Sequence, residues 1–126
     1  MLNLLFVYGT LRSEFENNYA RLLRSQADLV GRATVPGSIY RVGDFPAFRP
    51  ALAGEVHGEL YRLPDPLATL RALDEYEGSE FERVVVKAAQ AEVLCAANST
   101  EDAWIYQFRD EPPEDSRIAS GDFCAS

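Results

Sequence analysis

The sequence has few of the residues on which metal sites and nucleophilic triads depend. Among 126 residues there are one histidine, His57, and two cysteines, Cys95 and Cys124. The spacing of these residues and of the aspartates matches no metal site. A Ser–His–Asp triad would need His57, but it lies among glutamates in a predicted strand, a pattern typical of a surface histidine. We therefore expect neither a metal nor a cofactor.

Basic residues and long apolar runs are also scarce. The chain has 12 Lys and Arg against 20 Asp and Glu, a net charge of −8, which opposes binding to phosphate backbones and anionic lipids. No segment approaches the roughly 20 apolar residues of a membrane helix, and the apolar residues 2–7 have no basic residue before them, unlike a signal peptide. Two cysteines without a disulfide pattern favour reduced thiols. We expect a cytoplasmic protein that binds neither nucleic acid nor membrane.

The apolar residues that are present suffice for one core. They make up 47% of the chain, which predicts a single domain over residues 1–126. Apolar and β-branched patterns predict strands at residues 4–8, 32–41, 54–63, 83–87 (continuing through 93–95) and 103–108. Residues 43–50 and 110–115 are predicted loops.

Two helices are predicted between these strands. Ser13 and Glu16 form a capping box that would open the first, whose apolar stripe runs to Val30 and would end at Gly31. The second begins with Asp65 as cap and Pro66 at the first helical position, continues through Leu67, Leu70 and Leu73, and ends at Gly78. Five or six strands with two helices indicate an α+β fold.

The end of the first strand is a candidate anion site. The strand stops at Gly9 within the run Tyr8-Gly9-Thr10-Leu11 and turns toward a helix. Such a turn exposes consecutive backbone N–H groups, which bind carboxylate or phosphate. An ordinary strand-to-loop turn produces the same pattern, so both interpretations stay open here.

Glu77 is the candidate proton-transfer residue. At ~100° per residue, Leu67, Leu70, Asp74 and Glu77 share one helical face, whereas Glu75 points elsewhere. A carboxylate at the end of a helix and partly buried has a raised pKa, because the helix dipole and desolvation both disfavour its charge. General acid–base catalysis near neutral pH needs such a group. A solvated glutamate at the helix end is the alternative.

Taken together, the two motifs resemble a known family. Tyr8-Gly9-Thr10-Leu11 near the start and Leu73-Asp74-x-Tyr76-Glu77-Gly78 in the middle are similar to those of the gamma-glutamylcyclotransferase superfamily, and within it to the small gamma-glutamylamine cyclotransferase-like proteins. Further matches follow in the same order: Phe45-Pro46-Ala47, Val56-x-Gly58-Glu59-Leu60-Tyr61, Trp104-x-Tyr106 and Ile118-x-Ser120-Gly121-Asp122-Phe123.

The resemblance implies a fold, a site and a reaction. The fold would be a small mixed β-barrel of five to six strands with two main helices packed outside. Backbone groups of Tyr8, Gly9, Thr10 and Leu11 would bind the glutamyl part of the substrate, and Glu77 would be the general acid/base, with no metal and no cofactor. The enzyme would cyclise a gamma-glutamyl amide to 5-oxoproline and release an amine. We expect a monomer or weak homodimer whose partner is this small molecule.

One position departs from the family pattern. After the glutamate the family often has a tyrosine at the next strand, where this chain has Phe81. The loss of a hydroxyl there could alter substrate choice or reduce activity. The alternative hypothesis is a catalytically silent small-molecule binding module of the same fold, and a structural role comes third.

Overall fold

Seven β-strands and two α-helices make up the described part of the chain. The computed structural model describes residues 2–9, 17–43, 45–51, 54–90 and 100–123. In chain order the elements are β1 (Leu4–Val7), α1 (Asn18–Gln26), β2 (Asp28–Pro36), β3 (Ser38–Val42), β4 (Phe45–Arg49), β5 (Glu55–Arg62), α2 (Pro66–Glu77), β6 (Phe81–Gln90) and β7 (Glu101–Phe108). A short 3-10 turn, Glu114–Ser116, follows.

Five of the strands close into a barrel. The order β1-β5-β2-β6-β7 returns to its start because β1 pairs antiparallel with β5 and parallel with β7, where Leu5 lies opposite Trp104. Strands β4 and β3 extend the sheet from β7. The predicted α+β mixed barrel with two helices is confirmed. Its strands number seven because two lie outside the ring.

Alternate side chains of the strands build two apolar layers, since successive residues of a strand face opposite sides of the sheet. One layer contains no helix residue and fills the barrel: Phe6, Tyr8, Ala33, Val35, Ile39, Phe48, Val56, Leu60, Ala88, Ala103, Ile105 and Ile118. The other lies between the barrel and the helices: Leu5, Val7, Leu23, Ala47, Tyr61, Leu63, Leu70, Leu73, Phe81, Tyr106 and Phe108. Helix α2 is therefore held against the outside of the barrel.

Local signals set both ends of α2 as predicted. The Asp65 side chain accepts a hydrogen bond from the Ala68 N–H at 3.4 Å, and Pro66 is the first helical residue. Gly78 ends the helix with a φ of 77°, a conformation that favours glycine, and its N–H donates to the Asp74 carbonyl at 3.1 Å. Glu77 is consequently the last residue of α2.

The predicted first helix is too long at its C-terminal end. Helix α1 ends at Gln26, and Val30 and Gly31 belong to β2. Their spacing fits a helix, but β2 pairs with β5 over nine residues, with a register shift between Leu29 and Gly31, so sheet pairing overrides the local pattern. Asn17 caps α1, accepting from the Ala20 N–H at 2.8 Å. The predicted capping box lies outside the described residues.

Two further predictions about the strands are wrong. The predicted loop at residues 43–50 contains β4, which pairs with β3 as a hairpin. Proline in this segment suggested a loop. Pro46 lies near the start of the strand, where a missing N–H is tolerated. The predicted strand 32–41 is divided at Gly37, whose φ is 152° and where a Cβ would overlap the Phe48 ring.

The predicted inner face of α2 needs correction at Leu67 and at Asp74, whose side chain is 44% exposed. Leu67 is 56% exposed, and the buried residues of the helix are Thr69, Leu70 and Leu73. Leu67 lies in the first turn, before the helix packs onto the barrel.

Residues 93–95 and both cysteines lie outside the described residues. Among the described helices, none has the length and apolar character needed to cross a membrane.

Candidate functional site

A small cleft, partly open to solvent, lies at the end of β1. It is lined by Phe6, Val7, Tyr8 and Gly9 from β1 and the turn after it, Pro46 from β4, Glu77 from α2 and Tyr106 from β7. The structure thus brings together Tyr8, Gly9 and Glu77 from the predicted site. The other two predicted residues, Thr10 and Leu11, lie outside the described residues.

Glu77 has the protonation behaviour that its position suggested. Burial raises the pKa of Glu77 from 4.5 to about 7. Nothing in the described part of the chain offsets that burial by donating a hydrogen bond to this carboxylate or pairing with it. The group therefore gains and loses a proton near neutral pH, as a general acid/base must.

Tyr8 contributes its side chain to the fold. Its hydroxyl donates to the Tyr106 carbonyl at 2.6 Å and accepts from the Phe48 N–H at 3.2 Å. Burial, and then the charge of Glu77, raise the pKa of Tyr8 well above its ordinary value, so the phenol stays neutral. The hydroxyl joins β7 to β4 and is committed to that role.

Gly9 allows the end of β1 to approach β4. A Cβ at this position would overlap the Pro46 ring. Because a proline ring has little freedom to move aside, any larger residue would displace one wall of the cleft. The glycine of the predicted anion site is therefore required by packing.

The sequence analysis placed Asp74 on the helical face of Glu77 but did not foresee its contacts with Tyr106 and Arg83. The Tyr106 hydroxyl donates to Asp74 Oδ1 at 2.7 Å. Arg83 donates through Nε to Oδ1 at 2.9 Å and through Nη2 to Oδ2 at 3.1 Å of the same carboxylate. In the sequence, Tyr106 entered only through the Trp104-x-Tyr106 match to the family. The available signal was the spacing of Asp74 and Glu77, which places two carboxylates one turn apart on one face of α2.

Asp74 has the opposite protonation behaviour from Glu77. Burial alone would raise the pKa of Asp74, but the hydrogen bonds from Arg83 and Tyr106 outweigh burial and lower it below its ordinary value. Asp74 is therefore a fixed anion at neutral pH, with Arg83 as its counterion.

Comparison with known proteins decides the family. The sequence model described as "Gamma-glutamyl cyclotransferase, AIG2-like" matches residues 5–125. The chain belongs to this family. Among curated protein sequences, none matches it.

Several solved structures have a similar fold. YkqA from Bacillus subtilis has a TM-score of 0.73 at 27% identity, covering 97% of this chain and 39% of its own. Protein ytfP from Escherichia coli has a TM-score of 0.62 at 29% identity, with 95% of each chain covered. An AIG2-like protein from Mus musculus has a TM-score of 0.71 at 24% identity, covering 90% of this chain and 81% of its own. The chain thus spans well under half of YkqA but nearly all of ytfP.

Phe81, the departure from the family pattern, lies in an aromatic cluster. Its ring meets Phe45 edge-on at 5.6 Å and Phe108 at 5.4 Å between centroids. It is not one of the described residues that line the cleft. Phe81 therefore contributes aromatic packing at this position.

His57 is not among the described residues that line the cleft. His57 is exposed, and its backbone N–H donates to the Gly121 carbonyl at 2.8 Å. Over the described ranges, no group of three His, Cys, Asp or Glu side chains is arranged to hold a metal ion.

Proposed function

We propose that this protein cyclises a gamma-glutamyl amide to 5-oxoproline with release of an amine, and that Glu77 is the general acid/base. The observation that carries the proposal is the location of Glu77, with a pKa of about 7, in the same cleft as Tyr8 and Gly9. Membership of the gamma-glutamyl cyclotransferase, AIG2-like family supports it.

The reaction needs proton transfers but no further reagent. Ionised Glu77 takes one proton from the substrate α-ammonium, and the freed amine attacks the γ-carbonyl carbon of the same molecule. A C–N bond forms to close the five-membered lactam, and the bond from that carbon to the leaving nitrogen breaks. Glu77 returns its proton to the leaving nitrogen, and the second proton lost by the attacking nitrogen leaves with the amine or with water. Because the nucleophile is intramolecular, holding the substrate curled removes much of the entropic barrier.

Main-chain groups supply the anchor in this proposal. The N–H groups of Tyr8, Gly9, Thr10 and Leu11 would bind the substrate α-carboxylate, as successive N–H groups in a turn bind anions elsewhere. Local N–H donors suit a chain with a net charge of −8, since they attract a carboxylate without a basic surface. We further propose a cytoplasmic monomer or weak homodimer whose partner is the small-molecule substrate.

The test is 5-oxoproline release from a panel of gamma-glutamyl amides by wild type and Glu77→Gln. General acid–base catalysis contributes on the order of 10²–10⁴-fold, so turnover of the best amide should fall by at least ~100-fold. Glu75→Gln is the matched control, because Glu75 is exposed on the same helix, and it should keep wild-type turnover.

Two results would contradict the proposal in different ways. Equal turnover by wild type and Glu77→Gln would remove Glu77 from the mechanism. Binding of the amides without turnover by wild type would favour the silent binding module of the same fold.

A further inference from the structure

The proton of the Tyr106 hydroxyl is already engaged within the protein. A phenol has one proton to donate, and an ionised carboxylate can only accept. The 2.7 Å separation from Asp74 Oδ1 is typical of a charge-assisted O–H···O⁻ bond. The Leu70 carbonyl lies farther away, at 3.5 Å, and is uncharged. Asp74 therefore holds the proton.

The fold fixes this arrangement from the other side as well. Arg83 lies opposite Tyr106 in the pairing of β6 with β7, and its guanidinium grips both oxygens of Asp74. The guanidinium also stacks on the Trp104 ring, 4.5 Å from its centroid. Two hydrogen bonds and a stacked face leave the Asp74 carboxylate one orientation, with Oδ1 toward Tyr106.

An engaged proton leaves the Tyr106 oxygen with lone pairs only. Tyr106 is among the residues that line the cleft with Glu77, and its hydroxyl is close enough to Glu77 for that charge to act on it. On the basis of the proposed function, we propose that Tyr106 is a substrate-binding residue whose oxygen accepts a hydrogen bond from the α-ammonium of the gamma-glutamyl substrate. Asp74 and Arg83 are positioning residues that act through it.

The charges around Tyr106 favour an ammonium over a neutral N–H donor. From α2, Asp74 is an anion that polarises the hydroxyl, and Glu77 lies in the same cleft. From β6, Arg83 is paired with Asp74. Burial, and then the bond to Asp74, raise the pKa of Tyr106 well above its ordinary value, so the hydroxyl keeps its proton. A substrate ammonium bound to this oxygen lies beside Glu77, the group that must deprotonate it.

The test is a binding cycle with two ligands that differ only in the amino group. L-Glutamine is the gamma-glutamyl amide of ammonia, and glutaramate is the same molecule without the α-ammonium. Dissociation constants from calorimetry should show tighter binding of glutamine by wild type. Tyr106→Phe should weaken glutamine binding by about tenfold, the scale of a hydrogen bond to a charged group, and leave glutaramate within about twofold. Tyr40→Phe is the control, because its hydroxyl lies at the exposed Glu114, and it should change neither constant.

Asp74→Asn tests the positioning role. The amide oxygen can still accept from Tyr106 but carries no charge, so the preference for glutamine over glutaramate should fall by roughly threefold. If Tyr106→Phe does not fold, as judged by its thermal transition, Asp74→Asn carries the test alone.

Two outcomes would overturn this inference, and a third would separate it from the proposed function. Equal weakening of both ligands by Tyr106→Phe would overturn the inference, because the hydroxyl would then serve the shared part of the ligand or the fold. Wild type that binds both ligands equally, or neither, would overturn it too. Glutamine binding that depends on Tyr106, with no 5-oxoproline release from any amide, would support the inference and refute the cyclisation.

Discussion

Two carboxylates one helical turn apart on α2 have opposite surroundings. Asp74 receives hydrogen bonds from Arg83 and Tyr106, and its pKa is lowered although burial opposes the shift. Glu77 has burial as the only cause of its shift, to a pKa of about 7. The comparison shows that neither residue type nor helical face decides protonation. The partners supplied by neighbouring strands decide it.

The two environments depend on each other. Arg83 is the cation that Asp74 holds, and the stacked Trp104 ring holds its guanidinium from the other side. A guanidinium that reached Glu77 instead would stabilise the charged form and lower its pKa. Asp74 therefore keeps Arg83 away from the group that must remain able to accept and return a proton.

The largest expected effect is on the pH dependence of activity. Ionised Glu77, with a pKa of about 7, is the base, so kcat/KM for the best amide should fall about 50-fold between pH 7 and pH 5 and approach a tenfold fall per pH unit at lower pH. Rates measured from pH 5 to 9 would show this fall as the acidic limb of the pH profile. A profile flat down to pH 5 would mean that Glu77 is not the base.

Asp74→Asn sharpens the same measurement. The substitution weakens the hold on Arg83, and a guanidinium freed to approach Glu77 lowers the pKa of that carboxyl. The acidic limb should therefore move to lower pH. A limb that stays in place would show that the two carboxylates are independent.

The sequence was sufficient where the signal is local. Asp65, Pro66 and Gly78 mark both ends of α2 through caps that involve residues within a few positions, and these ends place Glu77.

What escaped prediction depends on contacts between distant segments. The opposition of Arg83 and Tyr106 follows from the register of β6 and β7, and no local pattern specifies a register. Pro46 forms a wall of the cleft only because β4 joins the sheet, which its proline had argued against. The helix prediction at Val30 failed because β2 pairs with β5, a strand about 30 residues away in sequence.

A smaller effect concerns stability at the Glu77 site. The folded pKa, about 7, is above the ordinary value of 4.5, so the folded state binds more protons between these values and loses stability as the pH rises through them. Above pH 7 the ionised, partly buried group destabilises the fold by roughly 1–3 kcal/mol. Glu77→Gln should be more stable than wild type by about this amount at pH 8 and nearly equal at pH 4.5. Urea unfolding at both pH values measures the difference, and a difference independent of pH would contradict burial of the charge as its cause.

The smallest expected effect is a loss of folding stability when Asp74 is replaced, opposite in sign to the gain expected for Glu77→Gln. Asp74→Ala removes the ion pair of Arg83 and leaves the Tyr106 hydroxyl only the more distant Leu70 carbonyl, but the Asp74 side chain is 44% exposed, so water replaces part of what is lost. We expect a loss of about 1 kcal/mol at pH 7. Glu75→Ala, an exposed change on the same helix, should stay within ~0.5 kcal/mol of wild type.

Because the folded pKa of Asp74 is lowered, its contribution is complete above the unfolded value of 3.8 and disappears as the pH falls through the folded value. Urea unfolding from pH 7 down to pH 3 should show the loss in Asp74→Ala shrinking as Asp74 is protonated. A loss that persists unchanged at pH 3 would assign it to packing, and the contrast between the two carboxylates would then not be electrostatic.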